Sequence, residues 1–194
     1  FCDLAIAMGE EDGDSELLGY YYAARGKVAT EEKDYESALS MYRRAYDEYK
    51  KANKVAERAT TLNNLAQLYF NTGRTASARR ALTTAARIAD EKKLARVSAL
   101  SQLLLGQLDE HDSRPLAAKR RWQLVTKIAK RVNDNDLRFP AEFMVYRSAC
   151  VTGDTPVRRA IERRLIRLAP WVHPGLDELH SFREFQAQNQ TFDR

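Results

Sequence analysis

The sequence predicts an all-α fold of stacked antiparallel helix pairs, and three observations carry that prediction. One pattern of small and large residues recurs at a spacing of 40. Glycines and capping residues fall where that pattern requires helices to stop and start. The composition is rich in Ala, Leu, Glu and Lys, with only five prolines in 194 residues, and so favours helix.

The recurrence runs through three units. Gly26-Lys27, Ala38, Tyr42 and Ala45 align with Ala66-Gln67, Ala78, Leu82 and Ala85, and these with Gly106-Gln107, Ala118, Trp122 and Val125. One further step back from Tyr42 and Ala45 lands on Cys2 and Ala5. The pattern reads as helix, turn, helix. Gly26, Ala66 and Gly106 are small where one helix meets its partner, and Ala38, Ala78 and Ala118 are small on the facing helix. Tyr42, Leu82 and Trp122 then fill the space between adjacent pairs. A glycine inside a helix costs about 1 kcal/mol relative to alanine, so a close backbone approach is the reason to keep one.

Helices are expected at 1–9, 15–31, 35–52, 55–72, 75–91, 94–110, 114–132, 137–151, 155–168 and 175–187. Gly73 and Gly153 stop two of them, Asp34 and Ser113 are placed to cap the helices that follow, and Pro115 suits a first helical turn. The array is expected over residues 1–168, as a half repeat at 1–14 and repeats at about 15–54, 55–94, 95–134 and 135–168. The opening half repeat suggests further repeats upstream. In the fourth repeat the small-residue sites carry Tyr146 and Arg158, or Ser148 and Ala160 if two residues are inserted. Residues 169–194 are read as a capping helix with Leu176, Leu179, Phe182 and Phe185 on its apolar side, then a tail.

No apolar run approaches the roughly 18 residues needed to cross a bilayer, and the first residues have neither the basic flank nor the apolar stretch of a signal peptide. Cys2 and Cys150 are too few and too far apart for a disulfide framework and read as reduced thiols of a cytoplasmic protein. Charge is graded: residues 1–57 carry eight Lys/Arg against thirteen Asp/Glu, and residues 114–170 fourteen against five. That basic zone could meet an acidic partner or nucleic acid, or be a solvated face. His111, His173 and His180 lack metal-ligand spacing, there is no Gly-rich phosphate loop or nucleophile turn, and no cofactor is expected. An enzyme is not predicted.

The segment Thr61-Leu62-Asn63-Asn64-Leu65-Ala66-Gln67-Leu68-Tyr69 with Gly73-Arg74 resembles the tetratricopeptide repeat superfamily, over roughly residues 1–168. The 40-residue spacing is similar to the long repeats of kinesin light chains and of bacterial Rap/NprR-type peptide-sensing regulators. The resemblance implies a right-handed superhelical α-solenoid whose concave groove is lined by the first helix of each pair. It places Lys27, Gln67, Gln107 and Arg147, each one position after a small-residue site, in that groove. Asn63 and Asn71 lie one turn either side of Gln67, and His111 one turn after Gln107. Amides donate and accept at once, so a row of them can hold a peptide backbone of varied sequence.

The expected function is therefore binding of a peptide or protein segment in the concave groove, as the sensor or scaffold part of a larger bacterial transcriptional regulator. Two alternatives stand beside it. One is a self-association module, a homodimer through the apolar end. The other is nucleic-acid binding through residues 114–170, which is less favoured because the run from Lys119 to Arg131 lies on a second helix.

Overall fold

The computed structural model describes residues 13–190; the helix expected at 1–9, with Cys2, lies outside them. Every regular element among the described residues is helical. In chain order these are α1 (Ser15–Glu31), α2 (Tyr35–Lys51), α3 (Val55–Asn71), α4 (Thr75–Glu91), α5 (Ala95–His111), α6 (Pro115–Val132), α7 (Asn135–Thr152) and α8 (Thr155–Leu168). A short 3-10 turn, Ala169–Trp171, and α9 (Asp177–Gln190) follow. These bounds lie within three residues of the expected ones.

The turns explain why the helices are so uniform in length. Gly13, Lys33, Asn53, Gly73, Lys93, Ser113, Asn133 and Gly153 all have positive φ, between 55° and 74°, and they stand 20 residues apart. The seven from Lys33 onward each close a helix in the same way. The residue after the left-handed one donates its N–H to the carbonyl five positions back, as Asp34 does to Ala29 (2.9 Å), Arg74 to Tyr69 (2.7 Å) and Asp154 to Ala149 (3.0 Å). That is the Schellman arrangement, which satisfies a carbonyl left open at the helix end. The repeat of 40 is thus two turns of 20.

The 20-residue step also settles the register of the fourth repeat: no residues are inserted, and Tyr146 and Arg158 occupy the small-residue sites. It moves Ser113 as well. Expected as a helix cap, Ser113 instead takes the left-handed position (φ 59°), and Arg114 precedes α6 without a side-chain cap. Asp34 does cap α2, accepting from the Ser37 N–H at 3.1 Å, and Asp14, Asp134 and Asp154 do the same one helix, five helices and six helices away.

The chain divides into two compact units, one ending at Leu108 and one beginning at Asp109. In the first, α1 packs on α2, α2 on α3 and α3 on α4. Its core holds Ala29, Ala38, Leu39, Tyr42, Leu65 and Leu68 in one cluster, and Ala66, Ala78, Leu82, Leu105 and Leu108 in another. The small-large pairing is visible in atoms: a Cβ on Gly26 would lie 3.1 Å from the Tyr42 ring. Ala38 and Ala78 are fully buried, as the close approach of paired helices requires.

In the second unit α7 is the central element, packed by α6, α8 and α9. Its residues from Phe139 through Tyr146 are all buried, because three neighbours cover that stretch on every side. Phe182 of α9 is caged by Phe139, Phe143 and Tyr146 at ring separations of 5.8, 6.1 and 5.8 Å. Leu179 is buried beside it. The apolar side of the capping helix is therefore turned inward, and two of the four residues offered for self-association, Leu179 and Phe182, are consumed by the unit's own core.

Candidate functional site

The expected groove residues divide by environment. Lys27 on α1 is exposed and reaches Glu31, one turn on, at 4.0 Å. One repeat later the same two positions hold Gln67 and Asn71, and Gln67 Nε2 donates to Asn71 Oδ1 at 3.0 Å. Charged and neutral versions of one device thus stand at matching sites of α1 and α3.

Gln107 on α5 comes to the same place as Gln67. Both line a narrow crevice between α3 and α5, walled by Ala66, Phe70, Leu82, Leu104 and Leu108. Its interior of about 10 Å³ holds at most a water, so it offers amides at a surface rather than a chamber. Both residues are half-buried.

Asn63 departs from the row. It is 1% exposed and bridges two helices, accepting from Ser101 Oγ at 2.8 Å and donating to the Val97 carbonyl at 3.5 Å. The expected reading put Asn63, Gln67 and Asn71 on one face because they are a turn apart. Helix α5, however, covers the first turn of that face and leaves the later two open. Asn63 is a buried polar tie between α3 and α5, and the one-sequence signal for this was Ser101, 38 residues on.

The other two expected residues lie in the second unit. His111 is exposed, with Nδ1 3.2 Å from Asp112 Oδ1. Arg147 on α7 is exposed, its guanidinium 3.5 Å from Met144 Sδ. Among the described residues no three His, Cys, Asp or Glu side chains gather as a metal site, and no helix is long and apolar enough to cross a membrane.

Sequence reasoning passed over two buried carboxylates in the second unit. Asp109 receives Arg121 at 2.6 Å and Arg114 at 3.0 Å. Glu142 receives Arg138 at 2.8 Å and Arg164 at 3.0 Å, with Lys130 at 4.0 Å. Burying a carboxylate is tolerable only with such partners. The basic run of residues 114–170 is therefore partly spent inside the fold.

In the comparison with family models, residues 17–91 match the tetratricopeptide repeat. These are α1 through α4 almost end to end, the two pairs in which the small-large register is cleanest. The tetratricopeptide-like fold reaches beyond that segment: the crystal structure of BtubC (BKLC) from P. vanneervenii superposes with a TM-score of 0.75. It does so over 90% of this chain and 72% of that one at 16% identity, a likeness of fold alone. No curated protein matches the chain in sequence. Tetratricopeptide repeats generally mediate protein–protein interaction, and the fold here is all-α, of tetratricopeptide-like helix pairs.

Proposed function

We propose that the chain binds a segment of another polypeptide on the open flank of its first helices. The site in the first unit is the amide group of Gln67, Asn71 and Gln107, with Lys27 at its edge. His111 and Arg147 hold the corresponding sequence positions in the second unit. The observation that carries this reading is the meeting of Gln67 and Gln107 at one crevice, from helices two apart in sequence. Amides so placed match the alternating N–H and C=O of an extended chain and demand little of its side chains.

On this reading the protein is a non-catalytic scaffold or sensor, and a cytoplasmic, regulatory setting is the one to examine. Selection of a displayed peptide library on the whole chain, followed by calorimetry, tests the site. The substitutions Gln67→Ala and Gln107→Ala should each weaken a selected peptide by about 1–3 kcal/mol if buried hydrogen bonds are lost. A selected peptide that binds the double variant, further changed by Lys27→Glu, as tightly as the parent would show that this flank is not the site.

A further inference from the structure

The second unit contains a cleft that the groove reading leaves unused. It lies between α6, α7 and α8 and has a volume of about 510 Å³, within the range of small-ligand and short-segment sites. Gln123, Thr126, Lys127 and Lys130 of α6 form one wall, and Val157, Ala160, Ile161 and Arg164 of α8 the other. Glu142 and Val145 of α7 form the floor. At 100° per residue, Arg147 stands roughly 140° and 200° around α7 from those two, so the cleft opens on the flank of α7 away from Arg147.

Its charges do not balance. The one floor carboxylate, Glu142, is 2% exposed and answers Arg138, Arg164 and Lys130. Lys127 adds a further cation on the rim, with no ion-pair partner among the described residues. Arg164 meets Glu142 through Nε, which leaves the outer face of its guanidinium, with the side chain 40% exposed, free to donate again. The Lys130 side chain is 48% exposed, with its ammonium at the limit of pairing distance. Three cationic side chains thus line a space whose other wall includes Val157, Ala160 and Ile161.

We propose that this cleft binds an acidic peptide segment, with a carboxylate held by Lys127, Lys130 and Arg164 and a neighbouring apolar side chain seated on Val145, Val157, Ala160 and Ile161. Charge complementarity favours an anion, since three of the lining side chains are cations and one is a carboxylate. The apolar wall requires an aliphatic group beside it, which a peptide supplies and a nucleic-acid backbone does not. The buried Glu142 favours a singly charged anion: a carboxylate sharing Arg164 with it suffers less like-charge repulsion than a phosphate monoester, which carries nearly two charges.

The test uses the whole chain and a fluorescein-labelled hexapeptide of alternating glutamate and leucine, followed by anisotropy at low salt. The parent should bind, with the methyl resonances of Val145, Val157 and Ile161 shifting on titration. Lys127→Glu and Ala160→Leu, the second of which fills the cleft without touching charge, should each weaken binding at least tenfold. Gln67→Ala with Gln107→Ala should leave it unchanged, which separates this site from the groove. Absence of binding at millimolar peptide, or undiminished binding by both cleft variants, overturns the proposal. So does displacement of the hexapeptide by a single-stranded oligodeoxynucleotide when unlabelled hexapeptide fails to displace it.

Discussion

The ring of Tyr49 lies so close over Gly19 that a Cβ on that glycine would stand 2.6 Å from two ring carbons. Both residues are buried, and Tyr20 meets the same ring edge-on at 5.5 Å, so the ring is held from two sides. Gly19→Ala raises helix propensity by about 1 kcal/mol, yet overpacking against a fixed ring costs about 1–3 kcal/mol. The net effect is a loss of up to about 2 kcal/mol, read as a lower urea midpoint at unchanged slope. Gly26→Ala, whose Cβ would sit at 3.1 Å from Tyr42, should be close to neutral. A Gly19→Ala variant as stable as the parent would mean that the ring moves freely.

The left-handed turn positions give a second prediction, of opposite sign at two equivalent sites. Lys93 has φ 57° and Gly73 has φ 74°, and they close α4 and α3 in the same manner. A non-glycine residue in this conformation costs about 1–2 kcal/mol, offset by the roughly 0.4–1 kcal/mol of unfolded-state entropy that glycine adds. Lys93→Gly should therefore stabilise by about 0.5–1 kcal/mol, and Gly73→Ala should destabilise by as much. Thermal midpoints of the two variants measure both; a shift of equal sign in each contradicts the account.

These same turns show what a single sequence reveals of this fold. The period of 40 was legible from Gly26, Ala66, Gly106 and their partners because a close helix contact constrains residue size. The period of 20 was not, since Lys33, Lys93 and Ser113 carry no chemical sign of a left-handed turn and so interrupt the series that Gly13, Asn53, Gly73, Asn133 and Gly153 suit. The fourth repeat was obscure for a related reason. Where earlier pairs set Gly26 against Tyr42 and Ala66 against Leu82, the matching sites hold Tyr146 and Glu162, with the large residue now on the first helix. The ring that fills the space arrives from the other side, and Phe182 and Phe185 pack on it. At the candidate site the helical spacing found Gln67 and Asn71 correctly on one flank, but spacing alone cannot show that α5 roofs Asn63.

Asn63 and Ser101 form the third test. Asn63→Ala removes the acceptor of the 2.8 Å bond and opens a small void, while Ser101 retains its bond to the Val97 carbonyl at 3.0 Å. The expected loss is about 1–3 kcal/mol, and a double-mutant cycle with Ser101→Ala should give a coupling of about 1 kcal/mol. Peptide affinity at the Gln67–Gln107 crevice should stay within twofold, because the change lies behind the surface. A large affinity loss with full stability would return Asn63 to the binding face.

Buried tyrosines make the fold sensitive to alkali, and the sign can be worked out. Burial pushes the Tyr49 hydroxyl well above its ordinary value near 10, and the neighbouring Tyr20, Glu57 and Glu16 push it further. Burial raises Tyr146 in the second unit likewise, with Glu162 adding to it. In the folded chain each hydroxyl keeps its proton; in the unfolded chain each begins to lose it near pH 10. The unfolded state therefore binds fewer protons above that point, and stability falls as pH rises from about 10 toward the folded values. Below pH 9 the contribution is complete and the curve should be flat with respect to these groups. Urea midpoints measured at pH 9 and again at pH 11 should show a marked drop for the parent. The drop should be smaller for Tyr49→Phe with Tyr146→Phe, since a phenyl ring has no proton to lose. An equal drop in the double variant would place the alkaline sensitivity elsewhere, in the lysines or in Tyr42, whose hydroxyl is also raised by burial.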